Sequence, residues 1–224
     1  MGSGYLLQSA QEGSLAVAGG RNIAPAINTL LSLPFALKLA TRDFHPQDHI
    51  SFGISHDPPN NKPFESSVKI SNPLNISQSH EIPIWPVHCV QGTKGADIIP
   101  EIDMAKIDMT VEKGQDRRVE MFSSFADVFG NKSLEATNID LADTLKDAGI
   151  THVFVVGIAG DFCVKCTALD AKKEGFQVCV LEEVTKSVDP GEKGWGVAKE
   201  EMKKAGIKIT SADGPEVERV RNLS

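Results

Sequence analysis

The feature that most constrains the fold of this sequence is the largely apolar, β-branched run THVFVV at 151–156. A run of this kind is typical of a strand that is buried on both faces of a parallel sheet. The chain then turns at 157–161 and continues with a helical pattern at 163–174 and a strand pattern at 176–181. Parallel strands joined through helices require right-handed crossovers. We therefore predict an α/β fold, a doubly wound and mostly parallel sheet with helices on both faces.

Other segments repeat this unit of helix and strand. Helical patterns occur at 23–33, 139–148 and 195–205, and strand patterns at 35–41 and 207–210. The stretch 55–83 is rich in Pro, Asn and Ser without a clear period, which predicts a loop or lid excursion. The chain has 224 residues, enough for one substantial core, and we predict a single domain over 1–224.

Composition narrows the class of protein. Hydrophobic residues make up 41% and charged residues 24% of the chain, an ordinary balance for a folded protein. A net charge of −7 without a clustered basic stripe argues against nucleic acid or a membrane as partner. No segment approaches the roughly 20 apolar residues of a membrane span, and no signal pattern is visible. We expect a cytoplasmic protein with a small-molecule substrate. The sequence leaves open whether it forms a homo-oligomer.

A carboxylate and two imidazoles form a candidate metal site. Asp43 and His45 stand two apart at the predicted end of a strand, so a period of two points them to the same side. His88 could complete a three-ligand site with positions left open for water or substrate. The alternative is a capping or surface pair, the more common role of an Asp-x-His sequence. His49 and His56 are either further ligands or polar loop residues.

Four cysteines are too few for a disulfide scaffold in a chain of this length, so each thiol needs its own explanation. Cys163 stands at a predicted helix start, where unpaired N–H groups and the helix dipole lower a thiol's pKa and can bind an oxyanion. The alternative is a buried cysteine that acts as a small hydrophobic residue. The remaining three lack this turn, and we interpret them as core or supporting residues: Cys89, Cys166 and Cys179.

Lys113 follows another strand-like segment, 109–112, and precedes a glycine. Most lysines are solvated and carry no function. Its position matters only if its strand lies beside the strand that ends at Gly157, where the ammonium could stabilise a thiolate. The sequence pattern leaves that adjacency open.

Taken together, these segments resemble the nicotinamidase, or pyrazinamidase-like, branch of the isochorismatase-like cysteine hydrolases. The likeness runs from about residue 13 to residue 209. It is carried, in order, by TRDFHP at 41–46, DHISF at 48–52, WPVHCVQGTKGA at 85–96, Lys-Gly at 113–114 and GIAGDFCVKCTALDA at 157–171.

The resemblance implies roles for individual residues. Asp43, His45 and His88 are implied to ligate zinc or a similar divalent transition metal. Cys163 is implied to be the nucleophile, with Lys113 as its charged neighbour.

The resemblance also implies how the substrate is held. The backbone N–H groups of Ala159 and Cys163 would form an oxyanion hole, with a non-proline cis peptide bond before Ala159. Trp85 could stack on a pyridine ring, although a Trp near a loop is also a common residue at the rim of a core. The implied reaction is hydrolysis of nicotinamide to nicotinate and ammonia through a cysteine thioester, within NAD salvage.

The N-terminus departs from the family's pattern. The family's first strand ends in an Asp that accepts the thiol proton, whereas residues 1–11 contain no acidic residue and Glu12 lies beyond the expected end. We therefore expect the first strand to be missing or replaced, with neighbouring edges exposed. A truncated start is favoured over a loss of catalysis. The alternatives to an active nicotinamidase are a metal-binding homologue without turnover and an isochorismatase-like hydrolase.

Overall fold

The computed structural model describes residues 2–6, by their backbone alone, and residues 13–223. The strands are β1 (Gly2–Leu6), β2 (Leu37–Asp43), β3 (Ser67–Asn72), β4 (Asn75–Pro83), β5 (Met109–Lys113), β6 (His152–Ile158), β7 (Gln177–Lys186) and β8 (Lys208–Thr210). The helices are α1 (Ala24–Leu31), α2 (Leu141–Asp147), α3 (Lys165–Lys173), α4 (Val197–Lys204) and α5 (Pro215–Arg221). None of the described helices has the length and apolar composition that a membrane span needs.

Six of these strands form one parallel sheet in the order β5-β2-β1-β6-β7-β8. Successive residues of β6 point to opposite faces, so this strand contributes to two apolar layers. Phe154 packs in one layer with Ile27 of α1. Val155 packs in the other with Leu145 of α2. Helices thus cover both faces, which confirms the predicted α/β fold.

The centre of the sheet is occupied by β1, which pairs in parallel with β2 on one side and β6 on the other. A strand therefore lies where the sequence analysis expected one to be missing or replaced, and it covers the edges of β2 and β6 that we expected to be exposed. Its sequence, GSGYL, contains no carboxylate. Glu12 lies outside the described residues.

The stretch 55–83, which we predicted to be irregular, contains an antiparallel hairpin of β3 and β4 outside the main sheet. Ile70 and Ile82 are buried beneath it, together with Val119. The first seven residues of β4 are all exposed. Because neither face of that segment is buried, its sequence lacks the apolar alternation that would have indicated a strand.

Several predicted boundaries shift where the chain approaches the edge of the sheet. β2 extends through Asp43, so the candidate ligand belongs to the strand itself. A helical turn begins at Gly160 and leads into α3, so the helical segment starts before Cys163. β7 continues to Lys186, well beyond the predicted end.

Candidate active site

A cavity of about 480 Å³ opens at the carboxyl ends of β2 and β6. The chain path reverses between these strands, at β1, and open α/β sheets bind ligands at such a switch point. The cavity is lined by six of the residues that the sequence analysis selected, namely Asp43, His45, Trp85, His88, Ala159 and Cys163. Lys113 is fully buried and contacts two of them.

The three predicted metal ligands lie together. Asp43, His45 and His88 offer ligand atoms within 4.8 Å of one another. His45 Nδ1 donates to the Gly114 carbonyl at 2.8 Å, and His88 Nδ1 donates to the Pro86 carbonyl at 2.8 Å. These bonds place each ring proton on Nδ1, so that each Nε2 presents a lone pair to the cavity.

Backbone geometry at Gly114 supports this donor set. Gly114 has a φ of +72°, and a Cβ at this position would lie 2.4 Å from Cε1 of His45. A glycine is therefore required for the carbonyl to reach the ring. Burial lowers the pKa of both His45 and His88, so both imidazoles are neutral near pH 7. Two neutral nitrogen donors and one carboxylate fit a divalent transition metal.

His49 and Glu120 extend the cluster on the other side of His45, and these three residues also offer ligand atoms within 4.8 Å of one another. His49 already uses both ring nitrogens, since Nε2 donates to a backbone carbonyl at 3.1 Å and Nδ1 accepts from a hydroxyl at 2.8 Å. To bind a metal, His49 would have to give up one of these bonds. His56 donates to a backbone carbonyl instead.

Cys163 is buried in the helical turn after β6. The Lys113 ammonium lies 3.6 Å from its sulfur. Burial raises the pKa of the Cys163 thiol to about 12, while the charge of Lys113 acts in the opposite direction. The pKa of this thiol therefore lies above its ordinary value although Cys163 follows a helix start, because burial outweighs the charge of Lys113.

Lys113 reaches the thiol from an unexpected direction. Its strand, β5, pairs with β2 at the edge of the sheet, and both β2 and β1 separate it from β6. The long side chain spans this separation, pairs with Asp43 and donates to the Met121 carbonyl at 3.1 Å. Burial opposes the charge of Lys113, but the Asp43 carboxylate outweighs it and raises the pKa of the ammonium. Asp43 thus belongs to the candidate metal-ligand set and also pairs with Lys113.

Aromatic side chains form the apolar wall of the cavity. Trp85 is buried, and its ring meets that of Phe162 edge to face with centroids 5.2 Å apart. Phe122 lies 5.5 Å from Phe162 by the same measure. Such walls suit a planar aromatic ligand. The peptide bond between Ile158 and Ala159 is cis, as the resemblance implies.

Several cavity residues were not selected from the sequence, namely Ile54, Glu120, Phe122, Phe162 and Val188. Burial, and secondarily the charge of Asp43, raises the pKa of the Glu120 carboxyl. The available signal was an acidic residue inside the otherwise apolar segment 119–122. Among the other cysteines, Cys89 borders the cavity, whereas Cys166 and Cys179 do not line it.

Comparison with known proteins places this geometry in a family. Residues 76–214 match the family model described as the isochorismatase domain. The nicotinamidase of Acinetobacter baylyi is 36% identical over 177 residues, which cover 79% of this chain and 75% of that protein.

Solved structures share the fold over nearly the whole chain. The yeast nicotinamidase bound to the inhibitor nicotinaldehyde has a TM-score of 0.84 and 27% identity, covering 94% of this chain and 100% of that one. The pyrazinamidase of Pyrococcus horikoshii in complex with zinc has a TM-score of 0.69 and 31% identity, covering 93% and 98%. The chain therefore belongs to the isochorismatase family of hydrolases, in its nicotinamidase branch.

Proposed function

We propose that this protein hydrolyses nicotinamide to nicotinate and ammonia. The observation that carries the proposal is a single cavity in which the Cys163 thiol, with Lys113 at 3.6 Å, faces the donor group of Asp43, His45 and His88. The nicotinamidase relatives support the choice of substrate, and the yeast structure holds an aldehyde of the same ring.

In the proposed reaction, the Cys163 sulfur attacks the carboxamide carbon. The C–N bond then breaks as the nitrogen takes up the proton that the thiol has lost and leaves as ammonia. Water then hydrolyses the thioester, which releases nicotinate and restores the thiol. Lys113 stabilises the thiolate from the buried side. The backbone N–H groups of Ala159 and Cys163 would stabilise the oxyanion, a contribution of typically about 3–4 kcal/mol per donor.

Two further features of the cavity would orient the substrate. Asp43, His45 and His88 would hold zinc, which when bound supplies a Lewis acid that can orient the ring nitrogen and water. Trp85 provides an apolar surface for the pyridine ring.

The Cys163 proton needs an acceptor, because burial raises the pKa of this thiol to about 12. The family's first strand supplies an Asp for this purpose, and β1 contains none. Among the described residues, the carboxylates that line the cavity belong to Asp43 and Glu120. Asp43 is already paired with Lys113. Glu120 is the other candidate acceptor, and its Oε1 accepts from the Met121 N–H. Since a positioned general base contributes about 10²–10⁴-fold, we infer that turnover is slow unless Glu120 takes the place of the family's Asp.

The nucleophile assignment is tested by replacing single thiols. Cys163→Ala should abolish ammonia release from nicotinamide, because among the described thiols it is Cys163 that lies within hydrogen-bonding distance of the Lys113 ammonium. Cys166→Ala and Cys179→Ala are matched controls outside the cavity and should retain most activity. Residual turnover by Cys163→Ala, or faster iodoacetamide labelling of Cys166 than of Cys163, would contradict the assignment.

Two alternatives predict different measurements. A metal-binding homologue without turnover would contain the ion but release no ammonia. Isochorismatase-like hydrolysis of a vinyl ether does not need the combination of Cys163 and a metal group. Ammonia release from nicotinamide therefore separates the proposal from both.

We further propose that the protein acts in the cytoplasm on a small-molecule substrate, without a nucleic acid or a membrane as partner. All four cysteines are free, as in a reducing compartment. The net charge of −7 argues against nucleic acid or an anionic membrane as partner.

A further inference from the structure

The turn that presents the nucleophile contains a carboxylate to which the reaction above gives no role. Asp161 precedes Cys163 by two positions and is only 7% exposed. Its Oδ1 accepts from the Val188 N–H at 2.9 Å, and its Oδ2 accepts from the Asp189 N–H at 2.8 Å. One carboxylate therefore binds two consecutive amides of the loop that follows β7. We call this pair of bonds the Asp161 bridge.

The loop and the nucleophile turn are also in direct contact beside the Asp161 bridge. A Cβ on Gly160 would lie 2.5 Å from the Ser187 hydroxyl and 2.9 Å from the Trp195 ring. Side chains of the loop therefore pack against the Gly160 backbone as closely as a glycine permits. A shift of this loop would therefore also move the turn that contains Cys163 at the cavity.

The loop is braced internally as well. The Asp189 side chain accepts from the Gly191 N–H at 2.8 Å, and the Asp189 carbonyl accepts from the Trp195 N–H at 2.9 Å. These bonds hold the loop as one unit. The Asp161 bridge is what joins that unit by hydrogen bonds to the turn that contains Cys163.

Val188, the first residue held by the bridge, lines the substrate cavity and is 41% exposed, so it lies at the rim. We propose that Asp161 is a positioning residue that fixes Val188 at this rim, and that Val188 selects which ring-substituted amides reach Cys163. This inference rests on the proposed hydrolysis of nicotinamide.

The chemistry of the bridge makes a sharp test available. A carboxylate accepts through both oxygens, whereas an Asn of the same shape has one acceptor and one donor. In Asp161→Asn, one backbone N–H of the loop would therefore face the NH₂ group of the Asn side chain, while the side-chain volume stays nearly the same. The lost bond belongs to the stronger, charge-assisted class, so we expect KM for nicotinamide to rise about tenfold with kcat changed less than about threefold.

The first readout measures the bridge itself. Amide hydrogen exchange at Val188 and Asp189 should be slow in the wild-type protein, and at one or both of these amides at least about tenfold faster in Asp161→Asn, because the Asn side chain can accept from only one of them. Asp170→Asn is the matched control, since this residue lies on α3 and pairs with Lys173. Unchanged exchange in Asp161→Asn would overturn the proposal.

The second readout measures selection of substrate. Val188→Ala and Asp161→Asn should relax discrimination against methyl-substituted nicotinamides in parallel, and the double variant should match Val188→Ala alone. Fully additive effects would show that Asp161 does not act through Val188 and would overturn the inference. Protection of Cys163 from iodoacetamide by each amide gives an apparent Kd without turnover. If wild-type protein releases no ammonia, the proposed function fails, while exchange and protection still decide the inference.

Discussion

At the scale of single residues, the site depends on one buried ammonium. Lys113 is fully buried and stands between the Asp43 carboxylate and the Cys163 sulfur. Its charge acts against the burial that raises the pKa of the thiol to about 12. Lys113→Met keeps a long apolar stem and removes the charge. We expect the pKa of Cys163 to rise further, so alkylation by iodoacetamide at pH 8 should slow by about tenfold or more.

This substitution also leaves Asp43 as an unpaired buried charge, which typically costs about 3–5 kcal/mol of stability. A thermal scan must therefore show that Lys113→Met is folded under the conditions of labelling. Lys165→Met is the matched control, because Lys165 lies two positions after the nucleophile but pairs with Glu201. An alkylation rate equal to wild type in folded Lys113→Met would rule out this role.

The sequence predicted the grouping of the ligand residues better than it predicted their surroundings. Asp43 and His45 could be grouped as candidate ligands from their spacing, and Cys163 could be selected from the turn that precedes it. The Asp161 bridge could not be predicted, because both of its partners are backbone amides of Val188 and Asp189, which leave no mark in side-chain patterns. The reach of Lys113 across two strands likewise depends on side-chain length rather than on strand order.

At the scale of elements, β1 is the strand whose replacement we expect to improve both stability and turnover. It lies between β2 and β6, yet its sequence GSGYL offers neither apolar alternation nor a carboxylate at its end. We expect that an apolar strand ending in Asp, grafted ahead of Gly13, raises the thermal midpoint and increases ammonia release by about 10²–10⁴-fold. Ammonia release is compared at equal metal occupancy.

The control for the graft is the same strand ending in Asn. It should give the gain in stability without the gain in turnover, because Asn cannot accept the thiol proton as a base. If the present chain already turns over at a rate that neither graft improves, another group accepts the proton.

The sequence predicted buried elements well and exposed ones poorly. β6 was recognisable because six of its seven residues are buried. The β3–β4 hairpin was missed because most of β4 faces solvent, so burial imposes no apolar alternation on its sequence. Periodicity is imposed by burial, so an element with little burial gives little signal.

At the scale of the whole molecule, metal binding should be measurable as composition and as stability. Purified protein should contain about one divalent transition metal ion per chain, most readily zinc. Because an ion that binds the folded state stabilises it, a chelator should lower the thermal midpoint. Elemental analysis of Asp43→Ala combined with His88→Ala should show that the metal is lost, and the chelator should then have no effect.

His80→Ala is the control for this experiment, since His80 is exposed on the hairpin and does not line the site cavity. It should keep both the ion and the response to chelator. Unchanged metal content in the double variant would remove Asp43 and His88 as ligands.

The order of the sheet also means that β1 sets the distance between β2 and β6. Neighbouring strands lie about 4.8 Å apart, so β2, which ends in the candidate ligand Asp43, and β6, which leads to Cys163, run about 10 Å apart with β1 between them. This interval is fixed by backbone hydrogen bonds and does not change when side chains repack. A lineage that turned to longer or shorter amides would keep the interval and alter the side chains that cross it.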